Sequence, residues 1–379
     1  MSAPEHERLA RAALSMIVEP GDLRFLDDVA ANGPIGSIER VAGRPEANPD
    51  ALPDAQSRMD RADPAAELER VAALGIRFVV PGDEEWPAQL GDLAGVEAVQ
   101  ERGGVPIGLW VAGPLRLCDL EASVAVVGSR DSTLYGEQVA SDITAGLGLA
   151  GHATVSGAAI GIDYAAHRGA IAVDAPTVAV LACGADRDYP PRHADLLRHL
   201  RDEGAVVSEV PLGGAPHRIR FLARNRIIAA LTRGTVVVEA AARSGALNTL
   251  NWSQRLNRMP MGVPGPVTSV ASLGVHHHLR SGGASLVTSA ADVLELVGRI
   301  GEHLTEIPRG EERPRDRLSV RDQQILDAVP VYQGADPASI ARVAGAGLTS
   351  VEEALASLAE AGLVERDGAG WRLTEPARA

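Results

Sequence analysis

From Val124 onward, short apolar runs alternate with helix-length segments in a regular order. Strand candidates are Val124–Val127, Ala153–Ser156, Thr177–Leu181, Ala205–Ser208, Thr235–Glu239 and Met261–Val263. Between them lie helical patterns at Gly136–Leu149, Asp163–Val173, Ala194–Arg201, Ala223–Leu231 and Ala246–Leu256. Short apolar strands separated by helices imply a parallel sheet with both faces covered, so the fold class expected is α/β with a doubly wound parallel sheet. Ligands on such sheets gather beyond the carboxyl ends of the strands. Four segments fall at that edge: Gly128–Arg130, Ser156–Asp163, Ser208–Glu209 and Glu239–Gly245. Two of them, GSR and SGAAIGID, are strand–turn–helix units of the kind that present backbone N–H groups to phosphate.

The flanks differ in character. Residues 7–43 read as two or three short helices, with turn signals at Pro20–Gly21 and Gly33–Pro34. Residues 44–66 are rich in Pro, Ala and Asp and read as a linker or loose loop. A helix at Glu67–Leu74 then leads into a strand at Ile76–Val80. After a charged connector, residues 318–375 read as helix, turn, helix and two short strands around Asp367–Gly370, the order of a winged-helix module. The expected domains are therefore a small helical N-terminal region with linker (1–66), the sheet domain (67–300), a linker (301–317) and a winged-helix domain (318–379). The recognition-like helix Ser350–Ala361 holds three Glu and no Arg, so contact with a protein is as reasonable there as contact with DNA.

Charge narrows the function. The 379-residue chain has a formal net charge of -14, yet residues 210–238 contain no acid and hold Arg218, Arg220, Arg224, Arg226 and Arg233. Residues 124–300 carry 16 Arg against 14 acids, whereas residues 1–123 carry 11 Arg against 22 acids. A locally basic face inside an acidic protein points to a polyanion, and Phe221 among the arginines offers a stacking surface for a base. All 36 basic residues are Arg. Without Lys there is neither a P-loop lysine nor a Schiff-base amine, and no GxxxxGK[ST] occurs. Cys118 and Cys183 lack CxxC spacing, which argues against a zinc site and for a reducing compartment. No signal-like apolar core and no run of roughly 20 apolar residues is present, so a cytoplasmic protein without membrane contact is expected.

Individual motifs carry plainer readings as well. The GSR turn is not GxGxxG and lacks an acid at the ribose-reading spacing, so no dinucleotide and no other cofactor is expected. Asp163 reads as an N-cap or first-turn acid of the helix that follows, and His167 as a packed or hydrogen-bonded histidine. Three adjacent histidines, His276–His278, cannot converge on one metal. Ser156, His167 and Asp163 lie close in sequence without a nucleophile elbow, which leaves a hydrolase triad weak. Glu239 and Arg243 read as a pair that holds the edge loops together.

Seven ordered motifs carry a family resemblance. VAVVGSR (Val124–Arg130), VSGAAIGIDYAAH (Val155–His167), GADRDYP (Gly184–Pro190), SEVP (Ser208–Pro211), FLARNRIIAAL (Phe221–Leu231), EAAARSGAL (Glu239–Leu247) and VPG (Val263–Gly265) closely resemble the DNA-processing protein A (DprA, or Smf) family. The resemblance implies an extended Rossmann-like domain that binds single-stranded DNA without catalysis, protects incoming strands and helps load RecA in natural transformation or recombination. It implies a small helical domain of the SAM or helix-hairpin-helix kind in front. It also implies a homodimer whose contact lies near His277, His278 and Leu286. Carried onto this sequence, the nucleic-acid-binding set is Gly128, Ser129, Arg130, Ser156, Gly157, Arg218, Phe221 and Asn225, with Arg220 and Arg224 from the basic block. Ile160 stands where the family commonly has a cation, Leu222 where it has Pro, and Arg280 at an apolar position of the dimer face. Arg220 is a possible substitute for the missing cation. The other class compatible with the segment Gly234–Gly245 is a Rossmann-like nucleotide hydrolase of the lysine-decarboxylase-like type, although its PGG element is missing.

Overall fold

The computed structural model describes residues 2–43, 52–299, 301–304, 313–368 and 370–378. It forms two compact units, Met1–Thr305 and Glu306–Ala379. The larger is organised by a sheet of nine strands: β1 (Ile76–Val79), β2 (Leu109–Ala112), β3 (Ser123–Val127), β4 (Ala153–Ser156), β5 (Thr177–Leu181), β6 (Ala205–Ser208), β7 (Gly234–Val237), β8 (Met259–Gly262) and β9 (Ser285–Leu286). Their order across the sheet is β1-β2-β6-β5-β4-β3-β7-β8-β9. Every neighbouring pair from β6 to β9 is parallel. The two pairs at the other edge, β1–β2 and β2–β6, are antiparallel.

The apolar runs form strands because both faces of the sheet are covered. Ala125 and Val127 pack with Ile227, Ile228, Leu250 and Trp252 on one face. Val124 and Val126, pointing the other way, pack with Ile143, Leu147 and Ile162. From β3 the chain adds β4, β5 and β6 in one direction, then returns to lay β7, β8 and β9 on the far side of β3. Strand order thus reverses between β3 and β7, and a crevice opens beyond their carboxyl ends.

The N-terminal helices belong to the same compact unit. Glu5–Ile17 packs Ala12 against Phe78 and Trp110 of the antiparallel edge, and the Trp110 indole donates to the Ser15 hydroxyl at 3.0 Å. The next helix, Leu23–Gly43, breaks where Gly33 takes a φ of 71° ahead of Pro34. Within the stretch read as a linker, Leu52–Met59 is a helix, and Asp63 caps another, Pro64–Ala73, by accepting from the Ala66 amide. Residues 44–51 of that stretch lie outside the described residues, as do 305–312 of the second connector.

In the smaller unit, helices Val320–Asp327, Pro337–Ala344 and Leu348–Glu360 precede an antiparallel hairpin, β10 (Val364–Asp367) and β11 (Gly370–Leu373). Ile325, Ile340, Val351, Leu355, Leu358 and Val364 make its core. Glu352 and Glu353 of the third helix point to solvent.

Candidate functional site

A cleft of about 520 Å³ occupies the crevice where strand order reverses. Its walls come from the turn after β3 (Gly128, Ser129, Arg130, Asp131), the turn after β4 (Ala159, Asp163), the loop after β7 (Ala241, Arg243, Ser244, Gly245) and the helix Arg218–Leu231 (Phe221, Leu222, Arg224, Asn225).

The turns are built differently from a phosphate cradle. The buried Asp163 carboxylate accepts the amides of Gly128, Gly157 and Ala159 at 3.2–3.3 Å. Burial pushes its carboxyl above the usual range, while Arg224 and those amides pull it down. Glu239, 1 % exposed, accepts the Thr133 amide at 2.9 Å and the Thr133 hydroxyl at 2.6 Å, and its backbone carbonyl takes the Ser129 amide. The Asp131 amide bonds to Ser129 Oγ. Internal carboxylates therefore sit where an external phosphate was expected, and the amides of Gly128, Ser129 and Gly157 are already committed. This corrects the expectation that those turns offer backbone donors. Of the two expected placements of Asp163, the first turn of the helix holds and the N-cap does not: Gly161 is the N-cap, with a φ of 85° and a would-be Cβ 2.4 Å from the Ser129 carbonyl.

The arginine cluster also divides. Arg226 is fully buried and forms two 2.7 Å bonds to Glu209, with further donation to the carbonyls of Gly103, Gly104 and Ala223. Arg220 is paired with Glu19 through two bonds of 2.7–2.8 Å and donates to the Ala215 carbonyl. Arg233 reaches Glu121 beside the amino end of β7. Arg224 lies under the cleft and donates to the carbonyls of Gly157 and Val180; burial draws its guanidinium down to about 10. Against expectation, then, Arg220 is neutralised by a carboxylate and Arg224 is spent on carbonyls. Of the block, Arg218 is the exposed guanidinium without a partner among the described residues.

Arg218 does not itself line the cleft, whereas two other exposed arginines do. Arg130 is exposed, with its guanidinium carbon 4.7 Å from the Phe221 ring centroid. Arg243 is exposed on the loop after β7 and makes no ion pair among the described residues. The expected Glu239–Arg243 pair is not formed: the Glu239 carboxylate is buried and accepts from Thr133, while Arg243 is exposed. Sequence reading missed Arg243 as a cleft cation; the signal was its lack of any acid closer in sequence than Glu239. Asn225 holds its loop, donating to the Gly245 carbonyl and to Asn248 Oδ1. Ser156 does not reach the cleft: it is buried and donates to the Val126 carbonyl at 2.6 Å. His167 is buried with Nδ1 2.8 Å from Thr177 Oγ1, and burial drives it to about 3. At the sheet's edge, His277 and Leu286 are exposed and His278 is half-buried. Among the described residues, no group of three metal-ligating side chains converges and no helix is long and apolar enough to cross a membrane.

Comparison with known proteins agrees with this architecture. The family model described as DNA recombination-mediator protein A matches residues 77–298. A putative DNA processing protein DprA of Mycobacterium tuberculosis is 43% identical over 372 residues, covering 96% of this chain and 94% of that protein. Protein Smf of Escherichia coli is 38% identical over 219 residues, or 57% of this chain and 56% of its own length. Among solved structures, DprA of Streptococcus pneumoniae superposes with a TM-score of 0.62 at 30% identity, covering 78% of this chain and 98% of that one. The DprA of Helicobacter pylori, whose structure concerns its single-stranded DNA binding mode, superposes at 0.50 with 23% identity, covering 58% and 94%. With its matching segment spanning the whole parallel sheet and its cleft, the chain belongs to the DNA-processing protein A (DprA/Smf) family.

Proposed function

We propose that the chain binds single-stranded DNA in this cleft and acts, as a non-enzymatic DNA-processing protein, on single strands in natural transformation or recombination. One observation carries the reading: Arg130 and Arg243, from two separate segments, bring unpaired guanidinium groups to a cleft that holds Phe221, and exposed Arg218 lies one turn before Phe221 on the same helix. Such groups neutralise phosphates and release counterions. An unstacked base then lies against Phe221 or on the Arg130 guanidinium plane, an interaction worth roughly 1–3 kcal/mol per base. Duplex DNA keeps its bases stacked inside and forgoes that gain. The hydrolase alternative lacks its acid, since both Glu239 oxygens are bound to Thr133 away from the cleft lining.

Family membership extends the proposal to help in loading RecA and to a homodimer joined near His277, His278 and Leu286. Leu286, 57% exposed on the edge strand β9, is a suitable apolar contact there. The smaller unit, read as a winged helix, carries Glu352 and Glu353 on its third helix and suits a protein partner better than a phosphate backbone. The direct test is a mobility-shift titration of wild type and Arg130→Ala/Arg218→Ala/Arg243→Ala on single-stranded and duplex oligonucleotides at two salt concentrations. Wild type should prefer the single strand, and the triple variant should lose most affinity with a salt slope shallower by about 2. Equal binding of duplex, or an unaffected triple variant, refutes the proposal.

A further inference from the structure

We infer that the single strand does not end at the cleft but continues across a second subsite, formed by the segment Tyr189–His193 together with Tyr164 and Arg168; the inference rests on the single-strand reading above. The segment borders the cleft at both ends. Its first residue, Tyr189, stands with its ring 6.0 Å from the Phe221 ring. Its last, His193, is fixed to the Ala158 carbonyl at 3.0 Å, next to Ala159 in the cleft wall. Beyond it half-buried Tyr164 covers the buried His193 ring, with centroids 4.4 Å apart, and the Arg168 guanidinium lies 5.9 Å from the Tyr164 ring.

Charge follows the same direction. Arg168 and Arg192 are exposed and have no carboxylate partner among the described residues. The acids of this neighbourhood are occupied: Asp188 pairs with Arg201 at 2.7 Å, Asp195 with Arg198 at 2.8 Å, and Asp186 accepts the Gly213 amide. Half-buried aromatic rings interleaved with unpaired cations, continuous with a cleft that already holds one such ring, are what a polynucleotide backbone with unstacked bases requires. A mononucleotide would leave this extension unused.

The test compares dT6 with dT20 on wild type, on Arg168→Ala/Arg192→Ala and on the cleft triple variant, by fluorescence anisotropy at several salt concentrations. Both substituted side chains are exposed, so folding is left intact. The double variant should bind dT6 as wild type does, lose about tenfold on dT20, and show a salt slope on dT20 shallower by about 1.4, two single-strand phosphate contacts. An unchanged dT20 affinity and slope in the double variant, with the cleft triple variant impaired, overturns this inference alone. No binding of either oligonucleotide by wild type overturns the single-strand reading and this inference with it.

Discussion

The rim of the cleft and the helix beneath it carry the same residue type for opposite purposes. At the rim, Arg130 and Arg243 stand in solvent without carboxylate partners among the described residues, as does Arg218 at the start of the helix that carries Phe221. One to two turns further along the helix that begins with Arg218, Arg224 and Arg226 are buried and fully employed. Arg226 binds Glu209 and draws the loops of Gly103 and Gly104 onto the helix, while Arg220 ties the helix to Glu19 near the N-terminus. An acid-free stretch of sequence is therefore not an acid-free neighbourhood. Glu209 and Glu19 come from outside the stretch, and chain folding places them against its arginines.

The sharpest way to break this comparison is to remove one carboxylate from below and one guanidinium from above. Glu209→Ala leaves a buried charge without its partner and should cost about 3–5 kcal/mol in urea unfolding. Arg130→Ala should change the same measurement by less than about 0.5 kcal/mol while weakening single-strand binding. Equal destabilisation by the two substitutions would erase the distinction. A smaller effect is expected at Gly157, where a methyl group would sit 2.1 Å from Arg224 Nη1. Gly157→Ala must push that guanidinium from its carbonyls and should cost about 1–3 kcal/mol; a neutral result would mean that Arg224 has room to move.

A pH-dependent effect concerns the interior behind the rim. Thr177 Oγ1 donates to the Thr154 carbonyl, so it accepts from the His167 Nδ1–H, and Nε2 is buried without a partner. His167 stays neutral in the folded protein down to about 3, whereas unfolded histidine takes up a proton near 6.5. The unfolded state thus binds the additional proton between these values, and stability contributed by this site falls as pH drops below 6.5, by up to about 1.4 kcal/mol per pH unit. His167→Asn, which keeps a donor toward Thr177, should flatten that part of the stability–pH curve. An unchanged slope would place the acid sensitivity in other groups.

Much of the parallel sheet was legible. Ala153–Ser156, Thr177–Leu181 and Ala205–Ser208 form strands with the bounds expected, since four or five apolar residues between helical patterns have few other places to go. Of the antiparallel edge, β1 was expected at Ile76–Val80 but β2 was not read, although it is a run of four buried residues between Gly108 and Gly113. A strand isolated from the helix–strand rhythm gives no indication of which neighbour it will pair with. Of the cleft lining, Arg130 and Phe221 were identifiable from the turn after β3 and the basic, acid-free stretch. The roles of Ser156, Arg220 and Arg224 were not, because each depends on a partner more than 25 positions away: the Val126 carbonyl, Glu19 and the Gly157 carbonyl. Arg243 escaped for the converse reason. Its obvious neighbour, Glu239, is claimed by Thr133, 106 residues earlier.

Asp163 and Glu239 give the cleft a bias of their own. A terminal phosphate carries more negative charge than a phosphodiester and gains most from free amides at a helix start. Here those amides already serve the protein's own carboxylates. Under the proposed function, strand ends and loose nucleotides find no free turn amides here to favour them, and contact with the strand falls to guanidinium groups and a ring.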